Sequence, residues 1–203
     1  MLEATRAAAE ALLWEKVEAD PLDESTWYGP TRTGITIDIF QHPVLTALRR
    51  SSRIHKAFAQ LSGTADLWTS ADRMSFNLPE TVLHPYAGQG MHWDVNLARP
   101  IPFGTQGILY LTDTPPEQGA FALVPEFNRK IDAWLDSLPE DESPGQQDLP
   151  ALGPEPVGGK AGDLSIWNHL LPHGPTPNRG EQPRMVFYLN MYPASYRAQA
   201  EWL

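Results

Sequence analysis

The chain opens on a helical pattern of apolar and polar positions. Over residues 3–18, Leu12, Leu13, Trp14 and Val17 recur among alanines and charged residues, which predicts an amphipathic helix. The period then changes to two. Ile35, Ile37 and Ile39 alternate with Thr36 and Asp38 across residues 34–40, and this predicts a strand. Ser51 is placed to cap a helix over 53–61, closed by Gly63. From Arg73 onward the texture is of short extended runs punctuated by turns. Residues 74–78 stop at Pro79, and residues 106–112 and 120–124 flank the turn-rich stretch 113–119. Residues 163–168 follow Gly162, and residues 184–191 follow Pro183. One further helix is predicted over 128–138, with Ile131, Trp134 and Leu135 on one face. No internal repeat is visible.

Composition supports a β-rich domain, because 20 prolines and 15 glycines in 203 residues punctuate many short segments. Segment 139–159 is acidic, Pro-rich and poor in aromatics. It reads as a solvated, flexible loop, and its place between the two halves of the candidate site below also suits a lid. Cysteine is absent, which excludes disulfides, thiolate metal sites and Cys nucleophiles. The net charge of −10 argues against a nucleic-acid partner. No run approaches the ~18–20 apolar residues of a membrane helix. The N-terminus is not a signal peptide by pattern, so a soluble, cytoplasmic protein is the simplest expectation.

Any metal must therefore be held by His, Asp, Glu or backbone oxygen. His92 and Asp94 form a His-x-Asp pair, and on extended backbone residues i and i+2 share a face. Such a pair plus one distant imidazole makes a 2-His-1-carboxylate facial triad, which leaves open positions on the metal. His-x-Asp alone is common by chance, so the distal ligand decides its weight. His173, beside Gly174 and expected near a late strand that pairs with the first, is the better candidate. His169 lies four residues earlier, but Pro172, Gly174 and Pro175 disfavour the helix that an i, i+4 metal pair would need. His169 is expected to be a supporting or core group, and His42, His55 and His84 to be structural or exposed. If 2-oxoglutarate fills the open positions, its far carboxylate needs a cation, for which the planar guanidinium fork is suited. Arg184 begins the last strong strand and can point into the same interior. Arg179, in the turn 177–180, is expected to face solvent.

His92-x-Asp94, Gly119-Ala120-Phe121 with Pro125, Gly162-Asp163-Leu164, His173-Gly174 and Arg184 follow one another in this order. Taken together they resemble the phytanoyl-CoA dioxygenase-like family of iron(II)/2-oxoglutarate oxygenases, over about residues 73–193. The resemblance implies a mainly β fold with flanking helices. Its core would be a double-stranded β-helix, a cupin-like jelly roll, over 73–193, with residues 1–72 as helical support, all in one domain over 1–203. It implies iron(II) at His92, Asp94 and His173, a 2-oxoglutarate carboxylate at Arg184, and O2 as oxidant. Thr176 and Trp167 are further candidates for co-substrate or pocket contacts. Where the family often has Gly-Ser-His after Pro125, this chain has Glu126-Phe127-Asn128, and Pro175 stands where a small polar residue is usual. The stretch before His92 is short for the family, as in a chain that omits an opening segment. Asp94 is present where related halogenases have a small residue, so the resemblance implies hydroxylation rather than halogenation.

The substrate-facing candidates are Phe76, Asn77, Tyr86, Gln89, Trp93 and Asn96. A small metabolite or natural-product intermediate is favoured over an acyl-CoA, because no basic cluster is evident for the CoA phosphates. Two alternatives stay open at this point: a cupin-type metalloenzyme that does not use 2-oxoglutarate, and a non-catalytic β-sandwich binding module. Oligomeric state has no signature in the sequence.

Overall fold

The computed structural model describes residues 2–29 and 34–195. The N-terminal periodicity becomes helix α1 (Leu2–Lys16), followed by α2 (Pro43–Arg49) and α3 (Ser52–Ser62). Helix α2 is not among the elements expected from the sequence. Its seven residues are too few for a periodic signal, yet its start is well specified, with Pro43 in the first turn and the His42 ring accepting from the Val44 amide at 3.3 Å. In α3, Ser51 is the N-cap and Gly63 closes the helix in the left-handed region. No described helix is long and apolar enough to cross a membrane.

Among the described residues, ten strands follow the helices or lie between them: β1 (Thr36–Ile37), β2 (Leu67–Thr69), β3 (Met74–Asn77), β4 (Thr105–Tyr110), β5 (Phe121–Leu123), β6 (Glu155–Val157), β7 (Leu164–Asn168), β8 (His173–Pro175), β9 (Arg184–Tyr188) and β10 (Met191–Pro193). The expected strand over 34–40 contracts to β1, and the run expected over 184–191 divides into β9 and β10. The main sheet has the order β1-β3-β9-β4-β7 and is antiparallel throughout. The small sheet has the order β6-β5-β8. His92 pairs with His173 as an isolated antiparallel bridge, so the segment around it lies where a fourth strand of the small sheet would run.

Alternation along the main-sheet strands separates two cores. Met74, Phe76, Leu109, Met185 and Phe187 face α1, α2 and α3, where they pack with Leu13, Leu45, Leu48 and Phe58. Ile108, Tyr110 and Val186 point the other way and pack with Phe121 and Val157 of the small sheet. The Tyr110 hydroxyl also donates to the Val157 carbonyl, a bond from sheet to sheet. Two facing antiparallel sheets with helices against one outer face form the expected jelly roll. Each fully buried Leu or Phe contributes about 1.5–3 kcal/mol through loss of its hydration, so the helices brace the sheet that carries much of the site.

Segment 139–159 is more regular than a solvated loop. It contains single 3-10 turns at Pro144–Gln146 and Leu149–Leu152, and then β6, which pairs with β5. Its end is tied by reciprocal backbone bonds between Thr114 and Gly159. Pro156 hid this strand in the sequence, and it is tolerated because β6 is an edge. The helix expected over 128–138 is α4 (Ile131–Ser137), preceded by one 3-10 turn.

Candidate active site

The bridge between His92 and His173 creates the site. Their amides and carbonyls exchange bonds of 2.8 and 3.0 Å, which brings two residues 81 positions apart in the chain side by side. Gly174 permits the approach, since a Cβ there would lie 2.8 Å from the Gly90 carbonyl oxygen. The ring centroids of the two histidines are 4.8 Å apart. Asp94 completes the group: Nε2 of His92 is 3.5 Å from one carboxylate oxygen, and Nε2 of His173 is 3.2 Å from the other. One ligand atom from each of the three residues falls within 4.8 Å of the others.

The imidazoles are oriented from behind. Nδ1 of His92 lies 2.7 Å from the Gly90 carbonyl, and Nδ1 of His173 lies 2.9 Å from that of Leu171. A carbonyl only accepts, so each Nδ1 carries a proton and each Nε2 is the ring nitrogen turned toward Asp94. Burial pushes the Asp94 carboxyl up, but hydrogen bonds with His173 and His92 outweigh it and hold the group well below the ordinary carboxylate range. Burial pulls His92 down, yet its bonds with Asp94 and the Gly90 carbonyl raise it overall. A carboxylate kept ionised between two imidazole nitrogens is the electrostatic setting of a cation site.

These residues line a cavity of about 250 Å³ together with Arg184. Arg184 is only 2% exposed; its Nε donates to the Gly119 carbonyl at 2.8 Å, while Nη1 is buried without a partner. Gly119 adopts φ 66°, and a Cβ there would run into the Asn77 side-chain amide. The glycine thus sets the carbonyl that aims the guanidinium. An unpartnered buried donor on a cation is costly, and a ligand carboxylate would satisfy it.

Among the other sequence candidates, Gln89 and Trp167 line this cavity. Trp167 packs on Phe121 at 4.1 Å and on His173 at 5.1 Å, and its Nε1 is buried without a partner. Phe76, Asn77 and Tyr86 instead border a smaller neighbouring cleft. Phe76 belongs to the helix-side core and meets Trp14 edge-on at 5.0 Å, because it is one residue out of phase with the inward positions Ser75 and Asn77. Asn77 is a strut that donates to the Thr176 carbonyl at 3.0 Å. The Tyr86 hydroxyl donates to the Pro175 carbonyl at 3.0 Å, and burial pushes it up to about 12. Three further candidates line neither the cavity nor the cleft. Trp93 packs on Phe127 and Trp134 and donates to the Leu170 carbonyl at 2.9 Å. Asn96 is exposed and accepts from the Ala98 amide. The Thr176 hydroxyl donates to the Ala120 carbonyl at 2.9 Å.

His169 is a core group whose Nε2 sits 2.8 Å from the Pro102 carbonyl. Arg179 faces solvent and pairs with Glu80. His42 caps α2, His55 contacts the Ala65 carbonyl, and His84 stacks on Tyr28. Asp72, Gln106, Tyr188 and Asn190 also line the cavity, and none is among the sequence candidates. Tyr188 was within reach, since Arg184, Val186 and Tyr188 alternate on one strand and must share its inward face.

A family model described as phytanoyl-CoA dioxygenase (PhyH) matches residues 1–186. The chain belongs to the phytanoyl-CoA dioxygenase family. It is 22% identical over 186 residues to a curated Dictyostelium discoideum protein named "Putative phytanoyl-CoA dioxygenase", covering 72% of this chain and 53% of that protein. The chain thus spans about half the length of that relative. Among solved structures it resembles EvdMO1 with a TM-score of 0.66 at 18% identity, over 94% of this chain and 45% of the other. It also resembles SnoK, an alpha-ketoglutarate-dependent carbocyclase of nogalamycin biosynthesis, at 0.63 and 19%, over 95% and 75% of the two chains. HygX of Streptomyces hygroscopicus, solved with nickel and 2-oxoglutarate, matches at 0.55 and 16%, over 94% and 79%. At these identities the structures establish the shared fold, that of the phytanoyl-CoA dioxygenase family.

Proposed function

We propose that the protein is a non-haem iron(II)- and 2-oxoglutarate-dependent dioxygenase that hydroxylates a C–H bond of a small metabolite or natural-product intermediate. The observation that carries this is the buried, half-satisfied guanidinium of Arg184 in the same cavity as His92, Asp94 and His173. The donor set fits the metal: two imidazoles and one carboxylate suit iron(II) and leave positions open. The charges fit as well. A divalent ion with one carboxylate and two neutral imidazoles retains one positive charge, and Arg184 adds a second, which the dianion 2-oxoglutarate balances. Iron(II) held there supplies oxygen activation coupled to decarboxylation of 2-oxoglutarate to succinate and CO2.

The chain's own residues do the rest. Arg184 takes the distal carboxylate of the co-substrate and so orients its keto-acid end toward the triad. Phe121, Trp167 and Ile108 form an apolar wall that limits water beside the metal ligands. Gln89, Asp72 and Asn190 supply polar contacts on the cavity wall, which suits a polar small molecule. The small-molecule reading is supported by HygX, which has also been solved with hygromycin B bound. A cupin-type enzyme independent of 2-oxoglutarate and a non-catalytic module remain the alternatives that the test must separate. Succinate is measured after incubation of the full chain with iron(II), 2-oxoglutarate and O2. Slow uncoupled turnover in wild type and none in folded Asp94→Ala is the expected result. Equal succinate from both proteins would remove the triad from the mechanism.

A further inference from the structure

Among the described residues, three groups reach the Asp94 carboxylate: His92, His173 and Gln106, whose Nε2 donates to Oδ2 at 2.6 Å. A bound cation changes this set. Nδ1 of each histidine is turned to a carbonyl, so a metal takes the lone pair on Nε2, and neither ring can then donate to Asp94. Gln106 is left as the remaining donor to the carboxylate among the described residues. Asp94 needs such a brace more than its partners do. His173 lies on β8 and His92 is bridged to it, whereas Asp94 lies outside every strand with its side chain 41% exposed.

Gln106 is built for the task. It lies on β4 directly opposite Trp167 and is 8% exposed. Because a carboxylate only accepts, the amide nitrogen must face Asp94, which leaves Oε1 buried on the cavity wall without a partner. We propose that Gln106 is a positioning residue for the metal centre. It fixes the Asp94 carboxylate in ligating orientation once the two imidazoles are committed to the ion. The proposal rests on the metal reading of the triad and is independent of whether 2-oxoglutarate is the co-substrate.

The test is titration of the purified full chain with cobalt(II), followed by its visible absorption, in wild type, Gln106→Leu and Gln106→Met. The Met variant keeps the side-chain length without the donor, and it replaces the Leu variant should that fail to fold. Loss of an outer partner of a metal ligand is expected to weaken cobalt binding by about 10- to 100-fold. The apo melting temperature should stay close to wild type, a combination that a merely structural role would not give. At saturating metal, 2-oxoglutarate affinity should change little, because Arg184 is untouched. A folded variant that binds cobalt as tightly as wild type overturns the role of Gln106. Wild-type protein that binds no cobalt overturns the metal reading itself and this role with it.

Discussion

Replacing Arg184 with methionine separates the two demands placed on that residue. In the free protein its guanidinium is 2% exposed, with Nε bonded to the Gly119 carbonyl and Nη1 bonded to nothing. A buried, incompletely paired cation carries a desolvation penalty that methionine lacks. The Gly119 carbonyl keeps a donor in the variant, since the Asn77 amide reaches it at 3.4 Å. Arg184→Met is therefore expected to be no less stable than wild type without ligand. With ligand the order reverses. Two charge-assisted hydrogen bonds, each about 1.5–3 kcal/mol, are lost, which weakens 2-oxoglutarate binding by roughly 100-fold or more. The assay is thermal unfolding with manganese(II) in place of iron, with 2-oxoglutarate at about 100 times the wild-type Kd. Wild type should gain about 2.7 kcal/mol, or about 5–10 °C in a chain of this size, whereas the variant should gain about 0.4 kcal/mol, about 1 °C. An undiminished ligand shift in Arg184→Met would refute the anchor, and a collapse of the ligand-free melting temperature would show Arg184 to be structural.

Three more predictions use other parts of the site. Gly119→Ala forces a side chain into φ 66° and against the Asn77 amide; it should cost about 1–2 kcal/mol or more in thermal unfolding and also weaken 2-oxoglutarate by displacing Arg184. Burial lowers His169 below its ordinary 6.5, so the unfolded chain binds the extra proton. Stability from this group is full above about 6.5 and is lost as pH falls from there toward the depressed folded value. His169→Gln should flatten that part of the pH–stability curve, and an unchanged slope would contradict a neutral buried imidazole. Trp93→Phe removes the bond to the Leu170 carbonyl and should lower the melting temperature without altering 2-oxoglutarate binding; a selective loss of binding would return Trp93 to the cavity.

How much of this was legible in the sequence depended on element length. β4 and β9 are long enough to stand out as extended runs bounded by turns, and α1 and α3 long enough to show helical period, so the framework and the place of Arg184 at the start of the last strong strand could be read. β2, β6, β8 and β10 have three residues each, too short for any pattern, and they are fixed by pairing alone. His92, Asp94 and His173 could be singled out as candidate ligands because the order of motifs along the chain is itself a signal, and the fold gathers their ligand atoms within 4.8 Å of one another. Trp93 stands between His92 and Asp94, and Phe76 stands between the inward residues Ser75 and Asn77 of β3, so the sequence alone did not separate either from its neighbours. On extended backbone the adjacent residue points the opposite way. Gln106 needed the fold: only the packing of β4 against the Asp94 segment distinguishes it from any other polar residue at a strand start.

Anaerobic titration of the full chain with iron(II) and 2-oxoglutarate, watched for the visible charge-transfer band of the chelate, tests metal and co-substrate together. Wild type should show a band that saturates at one iron and one 2-oxoglutarate per chain and is lost in His173→Ala. Folded, iron-loaded protein that shows no band would contradict the proposed function.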